Sequence, residues 1–304
     1  MPFLALVGPT ASGKTEAGIL VAQSLGAEIL SIDSMLVYRG MDVGTAKPRD
    51  EQRARVPHHL LDLVDPSEPF SVAAFQAAAR ASADDVRGRG RPPLLVGGSG
   101  LYLRAVVDDL EFPGTEPAVR RELQREAVAV GAERLHRRLA GFDPAAAGKI
   151  EPANVRRTVR ALEVASITGR PFSSFAGAWD NYPAGHVRVA GVRVAAEALR
   201  ARIEVRVRTM LDAGWLDEVR RLIDAGFGGW LTATQAIGYV ELARHLQGEL
   251  ALEQAVERIV VRTRALARRQ MAWFRRDPRI RWFEAGEAGA VAVADELAAY
   301  LGAA

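Results

Sequence analysis

The feature that most constrains this chain is a glycine-rich pattern close to its start. Residues 8–15 match GxxxxGK[ST] and directly follow a short apolar run, Phe3–Val7. Glycines let successive backbone N–H groups turn inward toward an anion, and a following helix adds its positive N-terminal end. The lysine supplies a point charge and the last hydroxyl is suited to Mg²⁺. The predicted diphosphate-binding residues are Gly8, Pro9, Thr10, Ala11, Ser12, Gly13, Lys14 and Thr15. A glycine turn without a ligand is the alternative.

Composition describes an ordinary globular chain of 304 residues, with 49% hydrophobic and 25% charged residues. The absence of cysteine excludes disulfides, thiolate zinc sites and cysteine nucleophiles. The start of the chain lacks a basic region, and no apolar run approaches the roughly 18 residues of a membrane helix. We therefore expect a cytoplasmic protein without a membrane anchor.

Positive charge is concentrated near the end of the chain. The segment 258–282 holds nine arginines and one acid, a net charge of +8, so the rest of the chain carries −5 against a total of +3. Such asymmetry is typical of proteins that bind a polyanion. The alternative is a compositional preference for arginine, because only three of the 40 basic residues are lysines. That preference explains the choice of arginine but not its clustering.

The order of the predicted elements indicates an α/β fold. Strands are predicted at 3–7, 28–33, 93–97, 186–194 and 279–283, and helices at 14–25, 71–87, 101–107, 196–213 and 251–276, the last within a mainly helical stretch of 215–276. Their alternation favours βαβ units and a parallel sheet. Residues 116–170 are helical throughout. We predict a P-loop NTPase-like core of 1–110 and 186–304, with an all-helical domain inserted at 111–185. The irregular segment 40–69 is expected to be a binding loop.

The arginines of the predicted helix 251–276 fall on defined faces. At about 100° per residue, one face holds Arg258, Arg262, Arg269 and Arg276, and a second holds Arg264, Arg268 and Arg275. Both faces are expected in solvent, and the first is expected to be remote from the phosphate loop. The apolar residues between the two faces are expected to pack on the core: Ile259, Leu266, Trp273 and Phe274. Arginine suits bidentate phosphate contacts. A solvated charged face is the alternative.

Three further groups could carry chemistry. Asp33 ends the second strand, where parallel sheets bind ligands, and could hold metal, accept a proton or simply cap a turn. Gly97 and Gly98 stand where an ordinary triphosphatase would carry an aspartate for its metal, which argues against ATP hydrolysis and leaves space for a substrate. For the pair His58 and His59, we favour loop packing or substrate contact over metal binding.

Several blocks of the chain resemble the bacterial tRNA dimethylallyltransferases, also called tRNA isopentenyltransferases. The blocks occur in family order and span nearly the whole chain, and 33–48 is the most specific of them. They are residues 8–15, 32–35, 37–48, 97–102, 160–164, 236–239, 269–270 and 273–275. Ser99 stands where many members have threonine, and Leu36 where many have glutamine. The zinc-finger extension of eukaryotic members is absent.

The resemblance implies transfer of a dimethylallyl group from dimethylallyl diphosphate to N6 of an adenosine. That adenosine lies 3′ to the anticodon in tRNAs reading codons that begin with U. Catalysis would rest on Asp33, Lys14, Thr15 and Arg206, with Mg²⁺ assisting through Thr15. The expected partners are the anticodon stem-loop and the diphosphate donor, with the enzyme a monomer. The expected tRNA contacts are Asp33, Ser34, Met35, Leu36, Ser99, Arg156, Arg157, Thr158, Val159 and Arg160, and, from the charge pattern, Arg262 and Arg269.

Three rivals share parts of this pattern. A small-molecule kinase would use the same phosphate loop but needs an ATP site and has no use for the basic helix. A transferase acting on free adenine nucleotides would not need an extended basic surface. An RNA-binding scaffold with a vestigial loop would not need Lys14, Thr15 and Asp33 intact.

Overall fold

The structure is a computed structural model that describes residues 2–108, 110–175, 181–183, 185 and 187–303. The chain divides into two compact units, Met1–Asp108 with Pro183–Ala304, and Asp109–Tyr182. Among the described residues, no helix is both long and apolar enough to cross a membrane. The prediction of a strand from His186 begins one residue outside the described part of the chain.

The larger unit is built on a six-stranded parallel sheet with the order β3-β2-β4-β1-β5-β6. Its central strands are continuous apolar runs buried on both faces, as parallel strands covered by helices require. The register pairs Leu6 of β1 with Val96 of β4 and with Ala190 of β5. The strands are β1 (Phe3–Val7), β2 (Glu28–Ser31), β3 (His58–His59), β4 (Pro93–Gly97), β5 (Val187–Arg193) and β6 (Ile280–Glu284).

Helices surround this sheet and pack apolar residues against it. In this unit they are α1 (Lys14–Leu25), α2 (Asp50–Arg55), α3 (Val72–Gly88), α4 (Gly100–Val107), then, after the helical unit, α9 (Ala196–Asp212), α10 (Trp215–Asp224), α11 (Tyr239–Leu246), α12 (Leu252–Phe274) and α13 (Ala294–Gly302). Local hydrogen bonds explain where α3 and α4 start, since the hydroxyls of Ser71 and Ser99 accept hydrogen bonds from the first-turn amides.

The smaller unit is helical and has its own apolar core. It contains α5 (Pro117–Val130), α6 (Ala132–Phe142), α7 (Pro144–Ala147) and α8 (Val155–Thr168). Proline stands at the first position of α5 and of α7, where its missing N–H costs no helical hydrogen bond. The buried carboxylate of Glu163 accepts hydrogen bonds from the Glu116 amide and from the guanidinium groups of Arg120 and Arg160, which ties α5 to α8.

The predicted α/β class with a parallel sheet is confirmed. The strands at Phe3–Val7 and Pro93–Gly97 and the helix at Lys14–Leu25 have the predicted bounds. The predicted helical stretch of 215–276 contains three helices, α10, α11 and α12, and the last of them, Leu252–Phe274, is the predicted helix of 251–276. The irregular segment 40–69 contains α2 and the short edge strand β3, neither of which was predicted.

Candidate active site

The phosphate loop connects β1 to α1 and has an unusual backbone conformation. Ala11 and Gly13 both have positive φ, 62° and 85°, and alternation of this kind turns consecutive amides to one side of the loop. Neighbouring elements hold its carbonyls, because Arg202 Nε donates to Ala11 O at 2.9 Å and the Ala290 amide donates to Ser12 O at 2.8 Å. The loop is therefore braced by the protein on the side away from the cavity described next.

A cavity of about 720 Å³ lies at the carboxyl edge of the sheet. Its wall comes from the residues that follow β1, β2 and β4 and from one face each of α9 and α12. It brings together most of the residues predicted for the donor and the acceptor: Thr10, Lys14, Thr15, Asp33, Ser34, Met35, Leu36, Ser99, Arg206, Arg262 and Arg269. The loop residues Gly8, Pro9, Ala11, Ser12 and Gly13 do not line this cavity.

Positive charge dominates the phosphate-loop end of this cavity. Lys14 Nζ donates to Pro9 O at 2.9 Å. The pKa of Lys14 is lowered to about 8, first by burial and then by the nearby Arg206 guanidinium, while Asp33 acts in the opposite direction. Burial also lowers the pKa of Arg206, and Asp33 again opposes the shift. Two desolvated cations beside one carboxylate leave this end able to bind a polyanion strongly.

Asp33 follows β2 and caps a turn, which is one of the roles considered for it. Its Oδ1 accepts a hydrogen bond from the Met35 amide at 2.9 Å, which is the turn-capping interaction. The same carboxylate lines the cavity beside Lys14 and Arg206. Capping therefore fixes the orientation of the carboxylate, and its second oxygen can accept a proton or a hydrogen bond from a bound molecule.

The loop that follows β2 and lines the cavity with residues 44–46 is held by a buried carboxylate that the sequence analysis missed. Glu218 of α10 is 1% exposed. It accepts hydrogen bonds from the amides of Asp42, Val43 and Gly44, at 2.8, 2.7 and 3.1 Å, and from the Tyr239 hydroxyl at 2.7 Å. The signal was present in the sequence, because Glu218 shares the inward face of α10 with apolar residues, where an unpaired charge would be costly.

The position of helix α12 corrects the prediction for its arginines. Arg262, Arg269 and Arg276 line the same cavity as the phosphate loop, so the expectation that this face is remote from the loop is wrong. Trp273 also lines the cavity and is 38% exposed, instead of packing in the core. The glutamine next to Arg269, Gln270, accepts a hydrogen bond from the Thr10 amide at 2.8 Å and so joins α12 to the loop.

Acids from other segments balance part of the basic cluster. Arg262 pairs with Glu241 of α11, and Arg264 pairs with Glu204 of α9. Arg279 is buried between Asp277 and Asp108, at 2.8 and 2.6 Å. Glu204, Glu241 and Asp108 come from distant parts of the sequence, so no local pattern predicts these pairs.

The two glycines after β4 are explained by packing. A Cβ at Gly97 would lie 2.6 Å from the Ile32 carbonyl oxygen, and one at Gly98 would lie 2.3 Å from Gln270 Nε2. Both glycines also line the cavity, so a side chain at either position would clash while their backbone stays open to a bound molecule. Ser99 directly follows, lines the cavity, and accepts the Tyr102 amide at the start of α4.

The histidine pair has a packing role, as favoured from the sequence. His59 Nε2 lies 2.6 Å from a Glu28 carboxylate oxygen, and His58 Nδ1 lies 2.7 Å from the Val56 carbonyl oxygen. Both residues form the edge strand β3, which pairs with β2.

In the helical unit, the predicted tRNA-contacting run 156–160 does not act as one surface. Arg156 and Arg157 are exposed, whereas Thr158 and Val159 are buried in the unit. The prediction is therefore wrong for the side chains of Thr158 and Val159. Arg160 donates to the carbonyl oxygens of 113 and 114 and to Glu163, so it holds the start of this unit together.

The parallel sheet, the glycine-rich loop at its carboxyl edge and the basic cavity describe an α/β protein with a candidate phosphate site. The family model described as IPP transferase matches residues 36–277, and the model for isopentenyl transferase matches residues 1–61. The chain therefore belongs to the IPP transferase family.

Similar proteins agree with this assignment. A tRNA dimethylallyltransferase of Nocardioides sp. is 49% identical over 95% of this chain and 93% of its own length. The solved tRNA isopentenylpyrophosphate transferase of Bacillus halodurans is 38% identical, with a TM-score of 0.70, and the match covers 99% of this chain and 96% of that one. A eukaryotic dimethylallyltransferase whose structures show it acting on tRNA is 26% identical, with a TM-score of 0.78, over 94% of this chain and 74% of that one.

Proposed function

We propose that this chain transfers a dimethylallyl group from dimethylallyl diphosphate to N6 of the adenosine 3′ to the anticodon, in tRNAs reading codons that begin with U. The observation that carries the proposal is the shared cavity, which contains Lys14, Asp33 and the basic face of α12. The names of the similar proteins support the same reaction. We assign the core to the P-loop NTPase type and the helices of 111–185 to an inserted tRNA-contacting domain.

The donor diphosphate binds at the loop end of the cavity in this proposal. As the allylic carbon–oxygen bond breaks, its electron pair leaves with the diphosphate, so negative charge grows there. Lys14 and Arg206 lie at that end as desolvated cations, and the loop amides add fixed dipoles. Preorganised charges in a site with little water stabilise developing charge more strongly than the same groups in water.

The acceptor adenine binds beside Asp33, next to the donor. Its exocyclic amine is a weak nucleophile, and it gains a carbon–nitrogen bond while losing one proton. Asp33 accepts a hydrogen bond from this amine and then the proton, because Met35 holds one of its oxygens and the other remains available. Ser99 contacts the same nucleotide. An adenine stacked in the anticodon loop must be extruded to reach this position.

The residues at the loop end also fit Mg²⁺, which prefers oxygen ligands and keeps several waters when it binds phosphates. The Thr15 hydroxyl and the Asp33 carboxylate both line the cavity. The described part of the chain contains no group of three or more His, Cys, Asp or Glu side chains that could hold a metal alone, so donor phosphates would have to complete the shell. When bound, the ion would neutralise diphosphate charge, and Thr15 would hold it.

The tRNA follows basic and polar surfaces in both units. In the core these are residues 33–36 and the face of α12 with Arg262 and Arg269; in the helical unit they are Arg156 and Arg157, which are exposed. Arginine at such positions binds backbone phosphates and fixes the register of the RNA. We propose that the protein acts as a monomer in the cytoplasm, without an obligate protein partner.

The proposed function is tested by incubating unmodified tRNA with the protein, dimethylallyl diphosphate and Mg²⁺, without ATP. Nucleosides from the digested tRNA are then analysed by mass spectrometry. We expect one dimethylallyl group on adenosine, in tRNAs with adenosine 3′ to the anticodon. A kinase would instead leave the nucleosides unchanged and transfer phosphate from ATP to an acceptor.

A further inference from the structure

Gln270 connects the phosphate loop to helix α12 and lines the cavity between them. Its Oε1 accepts a hydrogen bond from the Thr10 amide at 2.8 Å, across 260 residues of sequence. Thr10 is one of the loop residues whose N–H groups would be expected to face a diphosphate. In this structure that N–H is directed to the glutamine instead.

The hydrogen bond with Thr10 determines the positions of Oε1 and Nε2 in the Gln270 side-chain amide. A backbone N–H can only donate, so the atom that meets Thr10 must be the carbonyl oxygen, and the nitrogen must be Nε2. Nε2 lies on the side of Gly98, where an added Cβ would come within 2.3 Å of it. Gly98 also lines the cavity. The –NH₂ group is a donor only, and it stands between the loop and the strand end that leads to Ser99.

We infer that Gln270 binds the donor diphosphate, accepting the Thr10 N–H with Oε1 and donating from Nε2 to a diphosphate oxygen. The inference rests on the proposed function, because it requires a diphosphate at this loop. The loop gives up one donor to the glutamine, and the glutamine returns one donor to the cavity. Unlike Lys14 and Arg206, this donor is neutral, so it adds a directional hydrogen bond without further desolvated charge.

Two substitutions separate the two ends of the side chain. Gln270→Met keeps approximate size but removes both the acceptor and the donor. Gln270→Glu keeps an acceptor for Thr10 and replaces the donor with an oxygen. Gln254→Met is the matched control, because Gln254 lies on the same helix and its Oε1 accepts a backbone N–H, that of Ala251, at 3.2 Å.

The experiment measures the affinity of the full chain for inorganic diphosphate with Mg²⁺ by calorimetry, and the thermal unfolding midpoint without ligand. A hydrogen bond to a charged group is worth enough that both Gln270 variants should weaken diphosphate binding roughly ten- to a hundred-fold. Gln270→Glu should unfold at the wild-type midpoint, since its carboxylate still accepts from Thr10. Gln254→Met should bind diphosphate as the wild type does.

Diphosphate affinity equal to wild type in Gln270→Glu, or tighter binding by Gln270→Met, would overturn the inference. So would a loss confined to Gln270→Met together with a lowered midpoint, because that pattern assigns Gln270 only to holding the loop. A wild-type chain that binds neither diphosphate nor dimethylallyl diphosphate would refute the proposed function itself, which is a distinct result.

Discussion

Lys14 makes the affinity for the diphosphate donor depend on pH in a range where most lysines do not titrate. Burial and Arg206 lower its pKa from 10.5 to about 8. The charged form, which attracts the diphosphate, is therefore lost as pH rises through about 8. With that pKa, the protonated fraction falls from roughly nine-tenths at pH 7 to roughly one-tenth at pH 9. The affinity for dimethylallyl diphosphate should fall by up to roughly ten-fold across this range.

The assay is calorimetric titration with dimethylallyl diphosphate at pH 7, 8 and 9, in parallel with Lys14→Met. The variant binds the donor weakly and lacks the titrating ammonium, so the pH dependence of its affinity reports the ionisation of the ligand alone. That pH dependence is subtracted from the wild-type profile. The stability of the ligand-free protein should change with pH in the opposite direction, rising where the donor affinity falls. Because the folded pKa lies below the unfolded value, the unfolded chain holds more protons between about 8 and 10.5, and this group adds stability as pH rises there. Parallel affinity profiles for wild type and Lys14→Met would refute the reasoning.

Three further predictions concern the cavity and the loop beside it. Asp33→Asn should keep tRNA affinity within a few-fold and lower turnover by about 10²–10⁴, the usual contribution of a positioned acid–base group; equal losses in binding and turnover would make Asp33 structural. Replacing Arg262 and Arg269 with alanine should weaken tRNA binding. The slope of log affinity against log salt concentration should become shallower by roughly 0.7–0.9 per lost phosphate contact, and an unchanged slope would show that these arginines are only solvated. The double variant should also bind the donor more weakly, because both arginines line the donor cavity. Glu218→Gln should lower the free energy of unfolding by roughly 1–3 kcal/mol in urea titrations, since its –NH₂ faces amide donors; an unchanged midpoint would contradict the anchoring role.

Where the fold follows from local pattern, the sequence predicts it well. Buried parallel strands are short apolar runs, so β1 and β4 have the predicted bounds. The strand β3 has only two residues, His58–His59, and exists because it pairs with Ile29 and Leu30 of β2. A two-residue strand has no period to detect, so only tertiary pairing reveals it.

The candidate site shows the same division between local and distant information. The loop 8–15 is predicted because its motif directly follows a predicted strand. Asp33 is predicted because it stands at the end of the next strand. The helical period of α12 correctly placed Ile259 and Phe274 in the core. It could not show that the arginine face turns toward the phosphate loop, because that depends on how α12 packs against α9 and the loop. Gln270 gave no signal of its own, since its partner Thr10 is 260 residues away.

The central claim is that the cavity joins a diphosphate donor to an adenosine of tRNA. The most direct test offers the protein an anticodon stem-loop with either dimethylallyl diphosphate or ATP, at matched Mg²⁺, and follows the mass of the RNA. The account predicts a gain of one dimethylallyl group on the adenosine 3′ to the anticodon, competition by inorganic diphosphate, no reaction with ATP, and loss of the product with Lys14→Ala. Phosphate transfer from ATP, with no mass gain from dimethylallyl diphosphate, would contradict it and favour a kinase.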